Sequence, residues 1–233
     1  MNKQNNEILQ RIARHLMLHS SFMGEIGLLE GKMGVSIFFF HYAMYTDKEI
    51  YHDFGDELID EIYDEIHEGC PLNFKKGLSG IAWGMEYLIH NEFIDADPDE
   101  VLEELDAKIL EWDVRRINDT SLETGSVGLA YYIISRCNNK KKRSSNIPDD
   151  YISDLVTSLK SKMSNNDRYY HVIESLTTIL SGGSVLKIDN PLFKLCESSN
   201  YKEDSFFQVN YPLGIINNGF TGVGLNLMKN YET

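Results

Sequence analysis

The stretch Gly77-Leu-Ser-Gly80-Ile-Ala-Trp-Gly-Met, residues 77–85, places two glycines three positions apart directly before an apolar run. The same arrangement recurs in Gly31-Lys-Met-Gly34, Gly125-Ser-Val-Gly128 and Gly219-Phe-Thr-Gly222. Successive first glycines lie 46, 48 and 94 residues apart, and the last spacing is twice 47. Periods of this length are typical of arrays of helical hairpins. The sequence therefore predicts about five hairpins in one repeat domain over residues 1–233.

The fourth repeat is expected near position 172, where the glycines are missing. Residues 170–180 are nevertheless apolar at helical spacing, from Tyr170-His-Val-Ile through Leu176 and Ile179 to Leu180. We interpret this segment as a degenerate copy that keeps its helix.

Each repeat contains two kinds of helical segment. Those before the glycines have narrow apolar stripes opposite charged faces, which is typical of helices on an outer layer. They cover residues 6–19, 50–68, 99–113, 148–163 and 191–200. The segments after the glycines carry few charges and are predicted to be inner helices, over 35–45, 81–89, 129–135, 170–180 and 223–228. The fold class is thus all-α, an α/α toroid or barrel whose ring is closed or left as an arc.

The repeated glycines predict crowding where the inner helices begin. A residue without Cβ permits both a positive φ and a close approach of neighbouring chain, and glycine inside a helix costs about 1 kcal/mol relative to alanine. Because glycine recurs at the same position in four repeats despite this cost, we expect the position to be sterically constrained. We expect the second glycine of each pair to lie where a side chain would collide with an adjacent helix.

Composition narrows the classes of partner. The formal net charge of −14 disfavours binding to nucleic acid or to anionic membranes and favours a basic peptide. Lys140 to Arg143 form a short basic stretch that we interpret as a solvated loop. Three widely spaced cysteines, Cys70, Cys137 and Cys196, indicate reduced thiols. With no signal core and no apolar stretch long enough to span a bilayer, the chain is predicted to be cytoplasmic.

At Gly31-x-x-Gly34, Gly77-Leu-Ser-Gly80-Ile-Ala-Trp-Gly and Gly125-Ser-Val-Gly128-Leu-Ala-Tyr the chain resembles lanthionine synthetase C-like (LanC-like) proteins. The resemblance runs from about Gly27 to Met228. It implies a double-layered α/α barrel, usually of seven hairpins. In the cyclases of that family, a zinc ion at the inner-helix N-termini activates cysteine thiols of a precursor peptide for addition to dehydrated Ser or Thr.

The family's zinc ligands have no counterpart in this sequence. They are two cysteines and a histidine, placed just before the first glycine of late repeats. The matching pairs here are Leu29-Glu30, Lys75-Lys76, Glu123-Thr124 and Asn217-Asn218, which supply neither a thiolate nor an imidazole. We therefore predict no metal and no cofactor, and zinc-dependent cyclisation is disfavoured. Whether the chain is an enzyme stays open.

Other residues at the predicted barrel mouth could carry chemistry. The resemblance points to His171, which precedes the position of the missing fourth glycine and could act as an acid or base. It could equally stabilise the start of a helix. Glu30 and Glu123, with Glu174 nearby, could form a carboxylate pair, yet acids also favour helix N-termini for electrostatic reasons alone. Aromatic residues could line a cleft or belong to the core, namely Phe38 to Phe40, Trp83, Tyr131 and Tyr132.

Two functions of different classes follow. The first is a zinc-free LanC-like accessory component in the maturation of ribosomally synthesised peptides. It would bind a basic precursor peptide or a peptide-modifying enzyme, and its recognition surface would comprise Glu30, Lys76, Glu123, His171 and Asn218. The alternative is an α/α-toroid hydrolase or lyase that acts on carbohydrate through Glu30 and Glu123. A structural adaptor that uses its acidic outer surface also fits the composition.

Overall fold

The computed structural model describes residues 3–138, 146–185, 190–196 and 211–229. Every regular element in these ranges is helical, so the all-helical fold class is confirmed. The helices are α1 Lys3–His19, α2 Lys32–Thr46, α3 Glu49–Glu65, α4 Leu78–His90, α5 Pro98–Val101, α6 Glu103–Leu110, α7 Ser126–Cys137, α8 Asp149–Lys162, α9 Tyr170–Leu180, α10 Pro191–Cys196 and α11 Phe220–Lys229. Short 3₁₀ turns lie at Ser20–Phe22 and Val114–Arg116. The basic stretch at 140–143 and residues 197–210 of the connector before the last repeat lie outside the described residues.

Burial separates the two predicted kinds of helix. In α2, every residue from Lys32 to Ala43 is buried, and α4, α7 and α11 are buried on nearly all sides. By contrast, α3 buries one stripe, Gly55, Leu58, Ile59 and Ile62, and exposes most of its acids. The degenerate α9 buries only one face. Four of the five predicted inner helices are therefore enclosed, and the fifth is the one without glycines.

The chain divides into two compact units. The first comprises residues 1–69 and 190–233, in which α2 packs against α3 and against α11, and α11 also packs against α1 and α10. The second comprises residues 70–189, in which α7 packs between α4 and α9, and α8 packs against both α7 and α9. This division does not test the prediction of a single repeat domain. Among the described residues, no helix has both the length and the apolar composition needed to cross a bilayer.

The loop before each inner helix folds back to cap it. The N–H of the first helical residue donates to a carbonyl seven residues earlier in Lys32→Glu25 at 3.0 Å, Leu78→Pro71 at 2.9 Å and Ser126→Asp119 at 2.9 Å. In the last repeat the bond is Phe220→Pro212 at 2.9 Å, so that loop is one residue longer. N–H groups of a first helical turn lack partners within the helix, and here the loop backbone provides them.

This cap explains the first glycine of each pair. Gly31, Gly77 and Gly125 are the N-cap residues, with φ of −126°, −118° and −111°, so these positions do not use the positive φ that glycine permits. A Cβ at these positions would instead overlap the loop backbone, at Glu25 O, Pro71 O and Asp119 O. The constraint is the close approach of the chain to itself.

The second glycine is crowded by loops and not by an adjacent helix, so the prediction of a collision with a helix is wrong. A Cβ at Gly34, Gly128 or Gly222 would overlap the carbonyl of a residue in the preceding loop. At Gly34 it would also lie 2.8 Å from Ile215 Cδ1, and at Gly128 it would lie 3.0 Å from Phe74 Cγ. A loop side chain of one repeat thus covers the second glycine of the repeat packed beside it.

The loops of neighbouring repeats are also joined through their backbones. In the second unit, Lys75 N donates to Glu123 O at 2.8 Å. In the first unit, Ile215 N donates to Leu29 O at 2.8 Å, and Ile216 N to the same oxygen at 3.4 Å. The last repeat therefore meets the first repeat through the same kind of junction that joins the second repeat to the third.

The crowding at the first glycines can be tested with alanine, which adopts φ near −118° without strain. Gly77→Ala is expected to lower the free energy of unfolding by roughly 3 kcal/mol, because its Cβ would overlap the Pro71 carbonyl. Gly182→Ala, where φ is +77° and space is open, should cost only about 1 kcal/mol. Gly24→Ala, also in open space, should cost nothing. Urea unfolding followed by circular dichroism measures all three, and equal effects at Gly77 and Gly24 would contradict the explanation.

Candidate functional site

The residues predicted to bind a ligand lie in the loops before the inner helices. Glu30, Lys76 and Asn218 each directly precede a first glycine, and Glu123 lies two positions before Gly125. Their side chains are half-buried, except for Asn218, which is exposed. Glu30 and Asn218 belong to the first unit and Lys76 and Glu123 to the second. The proposed pairing of Glu30 with Glu123 therefore stays a prediction.

Backbone conformation sets the last of these loops apart. Asn217 and Asn218 have φ of 59° and 58°, in the left-handed region that few residues other than glycine adopt. Asparagine tolerates this region better than most residues. These two residues lie directly before Gly219, in the loop that is one residue longer than its counterparts.

Glu123 has a partner. Its carboxylate lies 3.2 Å from Lys75 Nζ, with the lysine side chain 22% and the glutamate side chain 44% exposed. Ion pairs this exposed contribute little stability, so the pair mainly orients the two side chains along the junction between repeats.

His171, the second residue of α9, contacts α7. Its Nε2 lies 3.1 Å from Tyr131 Oη, and the Tyr169 ring centroid lies 6.4 Å from the imidazole centroid. Tyr131 is buried and His171 is half-buried. An imidazole beside a phenol can hold or transfer a proton, and the same contact also fastens α9 to α7. Glu174, one turn later, is exposed.

The aromatic residues considered for a cleft lie in the core. Phe38, Phe39, Phe40 and Tyr132 are fully buried, and Trp83 and Tyr131 are 6% and 2% exposed. Ring contacts within each unit fix them, such as Phe39 against Phe54 at 4.7 Å and Trp83 against Phe74 at 5.6 Å. These rings stabilise the helix packing and line no open surface.

A cavity of about 210 Å³ opens in the second unit, where the loops before α4 and α7 meet. Its nine lining residues are all uncharged: Pro71, Leu72, Asn73, Ser79, Trp112, Ile117, Thr124, Gly125 and Leu129. Trp112, in the turn after α6, is 46% exposed. Ser79 is fully buried, and its Oγ has no hydrogen-bond partner among the described residues. Concave, mostly apolar sites with a few polar groups are typical of ligand pockets.

A hydroxyl cluster fixes one wall of this cavity. Thr124 Oγ1 donates to Asp119 Oδ2 at 2.5 Å, and Ser121 Oγ lies 3.0 Å from the same oxygen. The hydroxyl of Thr124 and the backbone N–H of Ser121 lower the pKa of Asp119. An ionised Asp119 thus holds the loop before α7, and with it the position of Thr124.

A buried ionic network joins α4, α5, α6 and α7. Arg136 lies 2.7 Å from Asp106, 2.9 Å from Asp99 and 3.3 Å from Glu86, and Tyr132 donates a hydrogen bond to Asp106. Burial raises the pKa of Glu86 to about 7, and the Arg136 guanidinium only partly offsets that effect. Burial and the Asp106 carboxylate likewise raise the pKa of Tyr132. One guanidinium is thus shared by three carboxylates.

Sequence reasoning missed both features of the second unit. A signal for the network was present, since Glu86 is the one acid of α4 and Arg136 the one strong base of α7. A charged side chain in an otherwise apolar, buried helix is costly unless an oppositely charged or hydrogen-bonding group lies beside it. Nothing in the sequence indicates that Trp112 and Ser79 meet at one cavity, because their proximity depends on how two loops pack.

The described residues contain no group of three His, Cys, Asp or Glu side chains arranged to hold a metal ion. Cys70, Cys137 and Cys196 are buried thiols. The absence of a cofactor stays a prediction. Compared with protein-family models and with curated protein sequences, the chain gives no match in either case.

The network predicts a specific dependence of stability on pH. Glu86 titrates at about pH 7 when folded and near 4.5 when unfolded. As the pH rises between these values, the unfolded chain releases a proton that the folded chain keeps, so the free energy of unfolding falls, by roughly 3 kcal/mol. Glu86→Gln should remove most of this fall, measured by urea unfolding from about pH 5 to pH 8. Glu57→Gln, on the exposed face of α3, should leave it unchanged. An unaltered slope in Glu86→Gln would contradict the assignment.

Proposed function

We propose that the chain is a LanC-like α/α toroid that binds a basic peptide over the loops preceding its inner helices. The ring is supported by the junction between α11 and α2, which repeats the contacts of the junction between α4 and α7. In an open array the first and last repeats would have no reason to meet in this way.

The observation that carries peptide binding is the backbone hydrogen bonding of these loops. Their carbonyls cap the helices and their N–H groups bond to neighbouring loops, as Lys75 does to Glu123 and Ile215 does to Leu29. Half-exposed polar side chains are therefore presented at fixed positions, which lowers the entropy lost on binding. Glu30, Glu123 and Asn218 offer acceptors to an extended chain, while Lys76 and His171 can orient its carbonyl groups.

The negative charge of the chain favours a peptide of opposite charge. The formal net charge of −14 creates a field that attracts cationic segments and speeds their association. We infer that the partner is a lysine- or arginine-rich precursor peptide, or the enzyme that modifies it, and that the protein acts in the cytoplasm. The three buried cysteine thiols fit a reducing compartment.

Zinc-dependent cyclisation is not part of this proposal, because the donor set does not fit the metal. The residues that correspond to the family's ligands are Leu29-Glu30, Lys75-Lys76, Glu123-Thr124 and Asn217-Asn218. Zinc sites of this type need thiolate and imidazole ligands at fixed positions. The accessory function requires only binding and positioning of the peptide.

The carbohydrate-active alternative needs two carboxyl groups about 5–10 Å apart across an open cleft. The contact between Glu123 and Lys75 weighs against it, because the Glu123 carboxylate is already engaged by a neighbouring side chain of the protein. The buried aromatic rings weigh against it as well, since sugar clefts use exposed rings.

Isothermal titration of the intact protein with a lysine-rich peptide tests peptide binding. We expect saturable binding that weakens as salt is raised, and none with a glutamate-rich peptide of equal length. Glu30→Gln and Glu123→Gln should each reduce affinity roughly threefold, the size expected for a half-exposed ion pair. Asp60→Asn, on the exposed face of the outer helix α3, is the matched control and should have little effect. Equal binding of both peptides would refute the proposal.

A further inference from the structure

Two histidines lie side by side at the C-terminal end of α1. His15 and His19 are four residues apart, and side chains at this spacing are neighbours on a helix surface. Of the seven histidines in the chain, only these two have this spacing. Their ring centroids lie 4.4 Å apart, with the ring planes inclined by 47°. Two imidazoles are thus held in contact on one face of the helix.

The separation of the rings matches that of two imidazoles bound to one metal ion. Imidazole nitrogens lie about 2.0–2.1 Å from zinc, which places each ring centroid roughly 3.2 Å from the ion. For the angles common between neighbouring ligands, from a right angle to a tetrahedral angle, two such centroids lie roughly 4.4–5.2 Å apart. The observed 4.4 Å corresponds to the right angle of a tetragonal ion, the geometry that Cu²⁺ prefers.

Packing fixes one of the two rings and leaves the other able to turn. His15 is half-buried against Phe220, the buried first residue of α11, with the ring centroids 4.4 Å apart. Phe220 in turn contacts Tyr211 at 4.9 Å. His19 is exposed, so its ring can direct a nitrogen toward an ion without displacing packed atoms. Because one ligand is already held in place, chelation loses less conformational entropy.

The charges around the pair permit a bound cation. Burial and the neighbouring His19 lower the pKa of His15, which favours the neutral imidazole that metals bind. Arg11 and Arg14 are the nearby cationic residues of α1, and both are exposed, so water and salt screen them. The formal net charge of −14 attracts metal cations to the chain as a whole.

We propose that His15 and His19 chelate a divalent transition-metal ion. Imidazole suits zinc, nickel and copper, and the affinity of a nitrogen site generally peaks at Cu²⁺, so that Cu²⁺ is the tightest probe and availability decides the ion in the cell. Two protein ligands leave the other coordination positions to water or to a ligand of the ion. The prediction that the chain holds no metal rests on the residues before the repeated glycines, whereas this pair lies on α1. The proposal does not depend on peptide binding.

Electron paramagnetic resonance of the intact protein with one equivalent of Cu²⁺ counts the coordinating imidazole nitrogens. We expect two in the wild type and fewer in His15→Ala and in His19→Ala. Calorimetric titration should give one ion per chain, and either substitution should weaken binding at least as much as the roughly tenfold loss caused by removing an outer-shell partner. Mg²⁺, which takes oxygen ligands, should not bind at this pair.

His52→Ala is the matched control. His52 lies on α3, where its Nδ1 is 3.0 Å from Asp56 four residues later, so the substitution removes an imidazole from another helix with the same spacing to its partner. It should leave copper binding unchanged. Because His19 is exposed, His19→Ala should keep the fold, which circular dichroism checks. Equal copper affinity of His19→Ala and the wild type, a wild-type spectrum with fewer than two imidazole nitrogens, or an equal loss in His52→Ala overturns the proposal.

Discussion

The structure depends on one local constraint: the chain passes within backbone contact of itself just before each enclosed inner helix. A loop carbonyl must reach the N–H of the first helical residue, seven positions later in the first three repeats and eight in the last. Free N–H groups at a helix start need partners when water cannot reach them, and here the loop is the partner. Only a residue without Cβ fits at the point of closest approach, which is why Gly31, Gly77 and Gly125 stand where they do.

The same constraint links one repeat to the next. Because the second glycine also lacks Cβ, a side chain from the neighbouring loop can lie over it, as Ile215 does at Gly34 and Phe74 does at Gly128. Backbone hydrogen bonds between the loops reinforce this contact. Within each unit, the two joined loops therefore hold each other in place. Loops joined in this way suit recognition, because their polar side chains need little reordering when a ligand binds.

In the second unit, α4 and α7 carry both the cavity and the ionic network, at opposite ends. Ser79 and Gly125 lie at their N-terminal ends, and Glu86 and Arg136 lie about two or three turns further along. The network fixes the two helices relative to each other through buried charges, which are costly unless paired. The cavity then keeps its shape because the helices that bear its walls cannot slide. The ionic network at one end of the two helices thus holds the cavity at the other end in place.

The amino-acid sequence by itself determined the all-helical class and the succession of outer and inner helices, because hydrophobic periodicity and glycine spacing are local signals. It also located α9, where Tyr170 to Leu180 keep the period without the glycines. Only the tertiary structure decided why the glycines are needed, since the relevant contact is with loop carbonyls at extended φ. It alone decided that Phe38 to Phe40 are core, that Glu123 pairs with Lys75, and that Trp112 and Ser79 share a cavity. Those facts depend on distances between segments far apart in the chain, which no local pattern encodes.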